Sequence, residues 1–342
     1  IGYRLVGSEM CIRDRDKASL LPLGNYIVKC QNSAGAIAWE PDGKIDPWDH
    51  TESIMGLNVL GMEVEAKAGF DWLKSSQLPD GSWYSEYREN EVVNFNKETN
   101  FTAYISSGAL HHFLHFEDNA FLEEIWPFLE KSTDFVLSGQ TSEGDILWAK
   151  DKNDIWMDDS LITGCSSIYK SLRDFTVIAE ILGKKNYRLN HELNSLKDAL
   201  RNKPQRFDRS WTSKSRYSMD WYYPILCDIY NKEESKEIIK RKWKNFVVPG
   251  LGCKCVEEEP WVTIAESCEL IMALNKIGEL KLAKGIYEDI LKLVDEEDSL
   301  FWTGFVYKDK KYWPVEKPSW TAAAVILAAN SIFKINSNAN FF

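Results

Sequence analysis

Apolar residues recur at helical spacing in about twelve segments of the chain, and strand-like alternation is nearly absent. The pattern predicts helices over 17–30, 49–61, 63–76, 98–116, 119–138, 159–182, 186–202, 215–230, 232–245, 261–277, 279–293 and 318–334, an all-α fold. Connector length carries the next step. Five pairs of these helices are joined by very short turns near Gly61, Asp118, Gly183, Asn231 and Gly278, and short turns make antiparallel neighbours. Long loops separate the pairs, over roughly 31–48, 77–97, 140–158, 203–214, 246–260 and 294–317. With helix 318–334 beside helix 17–30, six helical hairpins close into an (α/α)6 toroid.

Two kinds of helix alternate. ITGCSSIYKSLRDFTVIAEIL and SWTAAAVILAANSIF are rich in apolar and small residues, as suits elements surrounded by neighbours. KEESKEIIKRKWKNF and RLNHELNSLKDALRN are charged amphipathic strips that belong outside. Because outer helices run antiparallel to inner ones, every long loop leaves an outer C-terminus and enters an inner N-terminus at one common face. That face is the expected mouth of a site.

Bulk properties narrow the function. With 342 residues, 44% hydrophobic, the chain can bury one toroid over residues 16–342. Residues 1–15, IGYRLVGSEMCIRDR, lack both a helical period and a signal-peptide layout. They resemble the translated adapter read-through found in some metagenomic reading frames, and are expected to be foreign to the fold. A net charge of −11 with intermixed signs argues against a nucleic-acid partner. No apolar run approaches the length of a membrane span, so a soluble protein is expected. Seven irregularly spaced cysteines suit reduced thiols and a cytoplasmic setting. Cys253-x-Cys255 has no second pair at zinc-ribbon spacing, and His111-His112-x-x-His115 lacks the glutamate of HExxH and lies away from the mouth. Neither a metal nor a cofactor is expected.

A weak repeat marks the long loops: Gln31-x-x-x-Gly35-x-x-x-Trp39, Gln77-x-x-x-Gly81-x-Trp83 and Gln140-x-x-x-Gly144-x-x-x-Trp148, with a degraded copy ending at Trp302. Gln can hold a frayed helix end, Gly allows a positive φ and Trp folds back as a plug. QLPDGSW resembles the QW motif of terpenoid cyclases and protein prenyltransferases, whose fold is an α/α toroid, and similar loops occur in six-hairpin glycosidases. DPWDHTE (46–52), ETN (98–100), LITGCSSIYKSLR (161–173), KSRYSMDWYYP (214–224), FVVPGLG (246–252), PWVTIAESCEL (260–270) and WPVEKPSWTAA (313–323) resemble a bacterial toroid family usually labelled "prenyltransferase". The likeness covers about residues 25–333 and implies the fold; the label is itself a fold-level inference.

Acids and aromatics converge at the inner-helix starts. Only Trp72, Trp126 and Trp243 of the fourteen tryptophans fall on outer helices. Glu98, Asp158 and Asp159 read as helix caps. Glu52, Glu266 and Glu316 sit beside aromatic or apolar neighbours that would raise a carboxyl pKa, so they are candidate catalytic acids, with Asp220 as a fourth. His50, between Asp49 and Glu52, is a candidate proton relay. Candidate substrate contacts are Trp48, Asp49, Asn100, Trp148, Trp221, Tyr222, Trp261, Trp302, Trp313 and Trp320. Lys214 and Arg216 are placed to meet an anionic substrate group or to pair with mouth acids.

Flat aromatic faces stack on sugar rings and paired carboxyls cleave glycosidic bonds, so the mouth composition predicts a carbohydrate-active enzyme. A glycoside hydrolase acting on a small or oligosaccharide substrate is the simplest form, with a lyase or epimerase able to use the same parts. Two alternatives stand beside it. A prenyltransferase or terpenoid cyclase would need a D-x-D-D or D-D-x-x-D motif, and Asp158-Asp159 is the nearest approach. A glycan-binding toroid would need no acids at all.

Overall fold

The computed structural model describes residues 17–89, 91–184 and 187–342; the predicted foreign segment at 1–15 lies outside the described residues. Among the described residues twelve α-helices follow one another: α1 (Leu21–Lys29), α2 (Pro47–Val59), α3 (Glu63–Ser76), α4 (Thr99–Phe116), α5 (Asn119–Ser138), α6 (Ile162–Ile181), α7 (Asn190–Asn202), α8 (Ser218–Leu226), α9 (Lys232–Phe246), α10 (Ile264–Lys276), α11 (Leu280–Ile290) and α12 (Ser319–Phe333). Even-numbered helices pack in a closed ring, α2 to α4 to α6 to α8 to α10 to α12 and back to α2. Each odd-numbered helix backs an even one, and α1 packs on α12, so the first and last helices supply the sixth hairpin.

Burial follows the composition that separates the two kinds of helix. Thirteen of the fifteen residues of α12 are buried, whereas α9 buries three, Ser235, Ile239 and Phe246. A helix that is apolar all round must be covered all round; one with a narrow apolar stripe can face water. A capping box of Asn231 and Glu234 starts α9, satisfying end donors that the core cannot reach.

The long loops hold what periodicity misses, short antiparallel strands of two to four residues. Lys44–Ile45, Glu86–Arg88 and Glu91–Asn94 form one sheet, and Lys97–Glu98 pairs with Ala149–Lys150. A five-stranded sheet runs in the order Lys311–Tyr312, Gly304–Val306, Trp261–Thr263, Gly252–Lys254, Val247–Val248. Its middle strand takes the three residues expected to begin α10, which therefore starts at Ile264.

The loop repeat is a staple. The side-chain amide of Gln31 donates to the carbonyls of Gly35 and Glu65, both at 2.9 Å, tying its own loop to the next outer helix. Gln77 does the same to Gly81 and Phe128, and Gln140 to Gly144 and Glu192. Gly35, Gly81 and Gly144 have φ of 92°, 91° and 99°, and a Cβ on each would lie 2.0–2.3 Å from a carbonyl oxygen of that neighbouring helix. Only glycine permits this approach.

Candidate active site

Depth into the ring is counted along the even helices. Their third residues include Asp49 of α2, Asp220 of α8 and Glu266 of α10. One turn deeper, the sixth residues are Glu52, Tyr104, Ser167, Tyr223, Glu269 and Ala324. The Tyr104 hydroxyl donates to Glu52 Oε2 at 3.1 Å, and the Tyr222 hydroxyl donates to Glu269 Oε2. The Trp48 ring stacks on Tyr104 at 4.3 Å and tilts against Tyr223 at 5.8 Å, forming one wall.

Burial dominates the electrostatics. Glu52 is 1% exposed, and loss of water pushes its carboxyl up to about 7 against the stabilising Tyr104 bond. Glu269 rises well above the usual carboxylate range through burial and the charge of Glu52, with Glu266 adding to it. Asp49 is likewise raised by burial, then by Asp46 and Glu52, while the Lys44 ammonium 3.8 Å away opposes the shift. Asp49, Glu52, Glu269 and Glu266 thus form a chain of carboxyls, each within electrostatic reach of the next. Asp220 stands aside: burial raises it to about 6, and Thr163 Oγ1 donates to it at 2.7 Å.

Among the described residues, ten of the fifteen buried side-chain N and O atoms without a hydrogen-bond partner belong to the mouth ends of the even helices. They are Glu52 Oε1, Asn100 Oδ1, Thr102 Oγ1, Ser167 Oγ, Ser218 Oγ, Asp220 Oδ2, Thr263 Oγ1, Glu269 Oε1, Trp320 Nε1 and Thr321 Oγ1, so all six helices contribute. Buried polar atoms are normally paired, and a ring of unpaired ones marks a place built for an outside partner.

Several expected site residues turn elsewhere. His50 accepts from the Ile37 backbone N–H at Nδ1 (2.9 Å) and reaches the Gly69 carbonyl through Nε2 (3.0 Å), so both nitrogens are used; burial lowers its pKa to about 4 against these bonds. It is a structural histidine, not a proton relay. Trp221 points outward, stacking on Phe246 at 5.2 Å and donating to the Ile238 carbonyl. Arg216 pairs with Glu258, the ion pair expected as its alternative role, while the Lys214 ammonium lies over the Trp211 and Tyr217 rings. Glu316 accepts from Thr303 at 3.1 Å in the rim loops, outside the carboxyl chain.

The rim keeps its aromatic character. Trp148 donates to Glu98 at 3.0 Å and meets Trp211 edge-on; Trp320 stacks on Trp39; Trp302 stacks on Tyr312; Trp261 donates to the Trp313 carbonyl, and Trp313 is 56% exposed. Glu98, expected to cap α4, makes no capping bond; burial raises its carboxyl to about 7 while the Trp148 indole holds it. Asp158 is a solvated partner of Arg209, and Asp159 organises the loop by accepting from Ser160, Arg209 and Ser210.

Sequence reasoning missed Glu269 and Tyr104. Glu269 lies within the apolar run SCELIMAL, which hides it, yet it follows Glu266 by three residues and so shares its face of α10. None of the five histidines serves the mouth. His111 and His112 bond Asn58, His115 bonds the His111 carbonyl, and His191 is exposed on α7. Among the described residues no group of three or more His, Cys, Asp or Glu is placed to hold a metal ion, and no helix is long and apolar enough to cross a membrane.

No family model matches the chain. It is 40% identical over 316 residues to the MMP endo-(1,4)-3-O-methyl-alpha-D-mannosidase of Mycolicibacterium hassiacum, a match covering 92% of this chain and 86% of that one. Solved structures of similar fold include a D-mannose isomerase (TM-score 0.72, 11% identity, 97% of this chain and 100% of that one). A glycosidase in complex with glucose is similar too (0.70, 12%, 94% and 99%), as is a sugar epimerase from a ruminal bacterium (0.66, 11%, 92% and 98%). At these identities the solved structures speak to the fold alone, a six-hairpin α/α toroid. The prenyl-transfer label finds no counterpart among them.

Proposed function

The chain belongs to the family of the MMP endo-(1,4)-3-O-methyl-alpha-D-mannosidase, and from that premise we propose that it cleaves internal (1,4) linkages in chains of 3-O-methyl-alpha-D-mannose. It is a carbohydrate-active enzyme, a glycoside hydrolase. The observation that carries the substrate reading is the ring of unpartnered buried polar atoms beneath an aromatic rim. Sugar hydroxyls satisfy such atoms, and Trp faces cover the apolar side of a pyranose and its O-methyl group. A carbocation cavity would instead be lined by apolar and aromatic groups and served by a D-x-D-D or D-D-x-x-D motif, which this sequence lacks.

The reacting acids must touch the glycosidic bond, which favours the outer members of the carboxyl chain over the deep ones. Asp49, raised by burial and by neighbouring acids, holds a proton to give to the leaving oxygen. Glu266, 8% exposed at the same depth on α10, is the carboxylate that activates water or attacks the anomeric carbon. Lys44 keeps Asp49 from rising beyond use. Hydrolysis of a 3-O-methylated mannose oligosaccharide, followed by mass spectrometry, tests both parts. Asp49→Asn and Glu266→Gln are each expected to lower kcat by at least about 100-fold. Wild-type turnover in both would remove them from the mechanism, and no cleavage by the wild type would sink the substrate assignment.

A further inference from the structure

One turn below the proposed reacting acids lie two carboxyls and a hydroxyl that catalysis does not use. Glu52 and Glu269 are each 1% exposed and Ser167 is 2% exposed. All three are sixth residues of their helices, from three different walls of the ring. Each carboxyl is fixed on one oxygen by a tyrosine, Glu52 by Tyr104 and Glu269 by Tyr222; Oε1 of each and Ser167 Oγ make no hydrogen bond within 3.5 Å, although the Trp320 indole stands near enough to Glu52 to favour its charged form. A structural network would have used those lone pairs. Elsewhere in the inner ring it does: Ser107 bonds Ser171 and donates to Asp174, which also accepts from Lys170.

We propose that Glu52, Glu269 and Ser167 form a floor subsite that hydrogen-bonds the free hydroxyls of one neutral hexopyranose, and that they determine specificity without taking part in bond cleavage. This rests on the glycoside hydrolase reading of the same mouth. Raised carboxyls suit the task, because a group that is protonated in part of the population can donate to one hydroxyl and accept from another. Tyr104 and Tyr222 act as positioning residues, each holding one carboxyl oxygen and leaving the other for a ligand. A methylated oxygen cannot donate, so the O-methyl group belongs against the Trp48 wall and the remaining hydroxyls against the floor.

The experiment has two arms. In the first, kcat and KM are measured on the methylated mannose oligosaccharide for Glu52→Gln, Glu269→Gln and Ser167→Ala. The expected result is a rise in KM of about tenfold or more in at least two variants, with kcat held within about fivefold. A fall in kcat of more than about 100-fold at unchanged KM in either glutamate variant would make it a catalytic residue, and no change in any variant would make the cluster structural; both overturn the proposal. In the second arm, methyl alpha-D-mannoside is titrated calorimetrically into the Glu266→Gln protein with and without Ser167→Ala. Weaker binding in the double variant supports the floor even if the wild type cleaves no oligosaccharide tried, which separates its fate from that of the proposed function. Equal binding, or no detectable binding at tens of millimolar sugar, counts against it. Thermal denaturation of each variant identifies any that fails to fold.

Discussion

The two halves of the inner ring contain the same kinds of buried polar residue in opposite states. Toward the far end, Lys170 donates to Asp174 at 2.8 Å, Ser107 donates to Asp174 at 2.6 Å, and Asn58 joins His111 and His112. The Lys170 ammonium also lies 3.7 Å over the Phe341 ring. The exceptions there are few: Nε2 of His112 and of His115, and Asn336 Nδ2. Toward the mouth, acids and hydroxyls at similar burial keep an open valence. A buried charge is therefore poor evidence of a site by itself; an unfinished hydrogen-bond set is much better evidence.

The largest expected effect breaks the paired half. Lys170→Met strands a buried Asp174 and should destabilise the fold by about 3–5 kcal/mol in urea denaturation, without altering kcat of the folded fraction. A loss below about 1 kcal/mol would mean that the far half is no better satisfied than the mouth. Next comes the pH response of the open half. Between pH 4.5, where an exposed glutamate titrates, and about 7, where Glu52 does, the folded chain keeps a proton that the unfolded chain has released. Stability then falls as pH rises through that window, by about 3 kcal/mol for this one group. Denaturation curves of Glu52→Gln should lack that share of the slope, and equal slopes in both proteins would show that the group is not buried as described. Glu98 and Asp220 contribute in the same direction, and buried His50, held down to about 4, opposes them up to pH 6.5, so a residual slope remains.

Smaller effects sharpen the boundary between the halves. Gln140→Ala removes two amide bonds to backbone carbonyls outside the ring, and a loss of about 1–2 kcal/mol is expected with KM unchanged. A raised KM would tie the staple to the site. Asp158→Ala should change neither Tm nor turnover, because this side chain is 92% exposed despite standing near the mouth. A measurable loss of activity would extend the site beyond the unpartnered atoms.

Ring closure was readable because alternating connector length is a property of the chain itself, and the helix period placed most segments to within a few residues. The rotation of each helix was not readable in the same way. Trp221 begins an inner helix as expected, yet a residue's facing changes by 100° per position, and this one faces α9. His50 was misread for a related reason: its neighbours in sequence are acids, but its neighbours in space are the backbones of Ile37 and Gly69. Glu98 sits where a cap should be, yet the Ser85 hydroxyl and the indole of Trp148, fifty residues on, are what hold it. Side-chain partners remote in sequence leave no local trace.

The packing of α1 on α12 makes the join between the first and last hairpins equivalent to every other join in the ring. Topologically the molecule is a closed necklace whose clasp happens to lie there. A circular permutant opened at the tight turn at Gly278, with Phe333 and Leu21 bridged by a flexible linker at the face opposite the mouth, would thread the same six hairpins in a new order and keep its carboxyls in register.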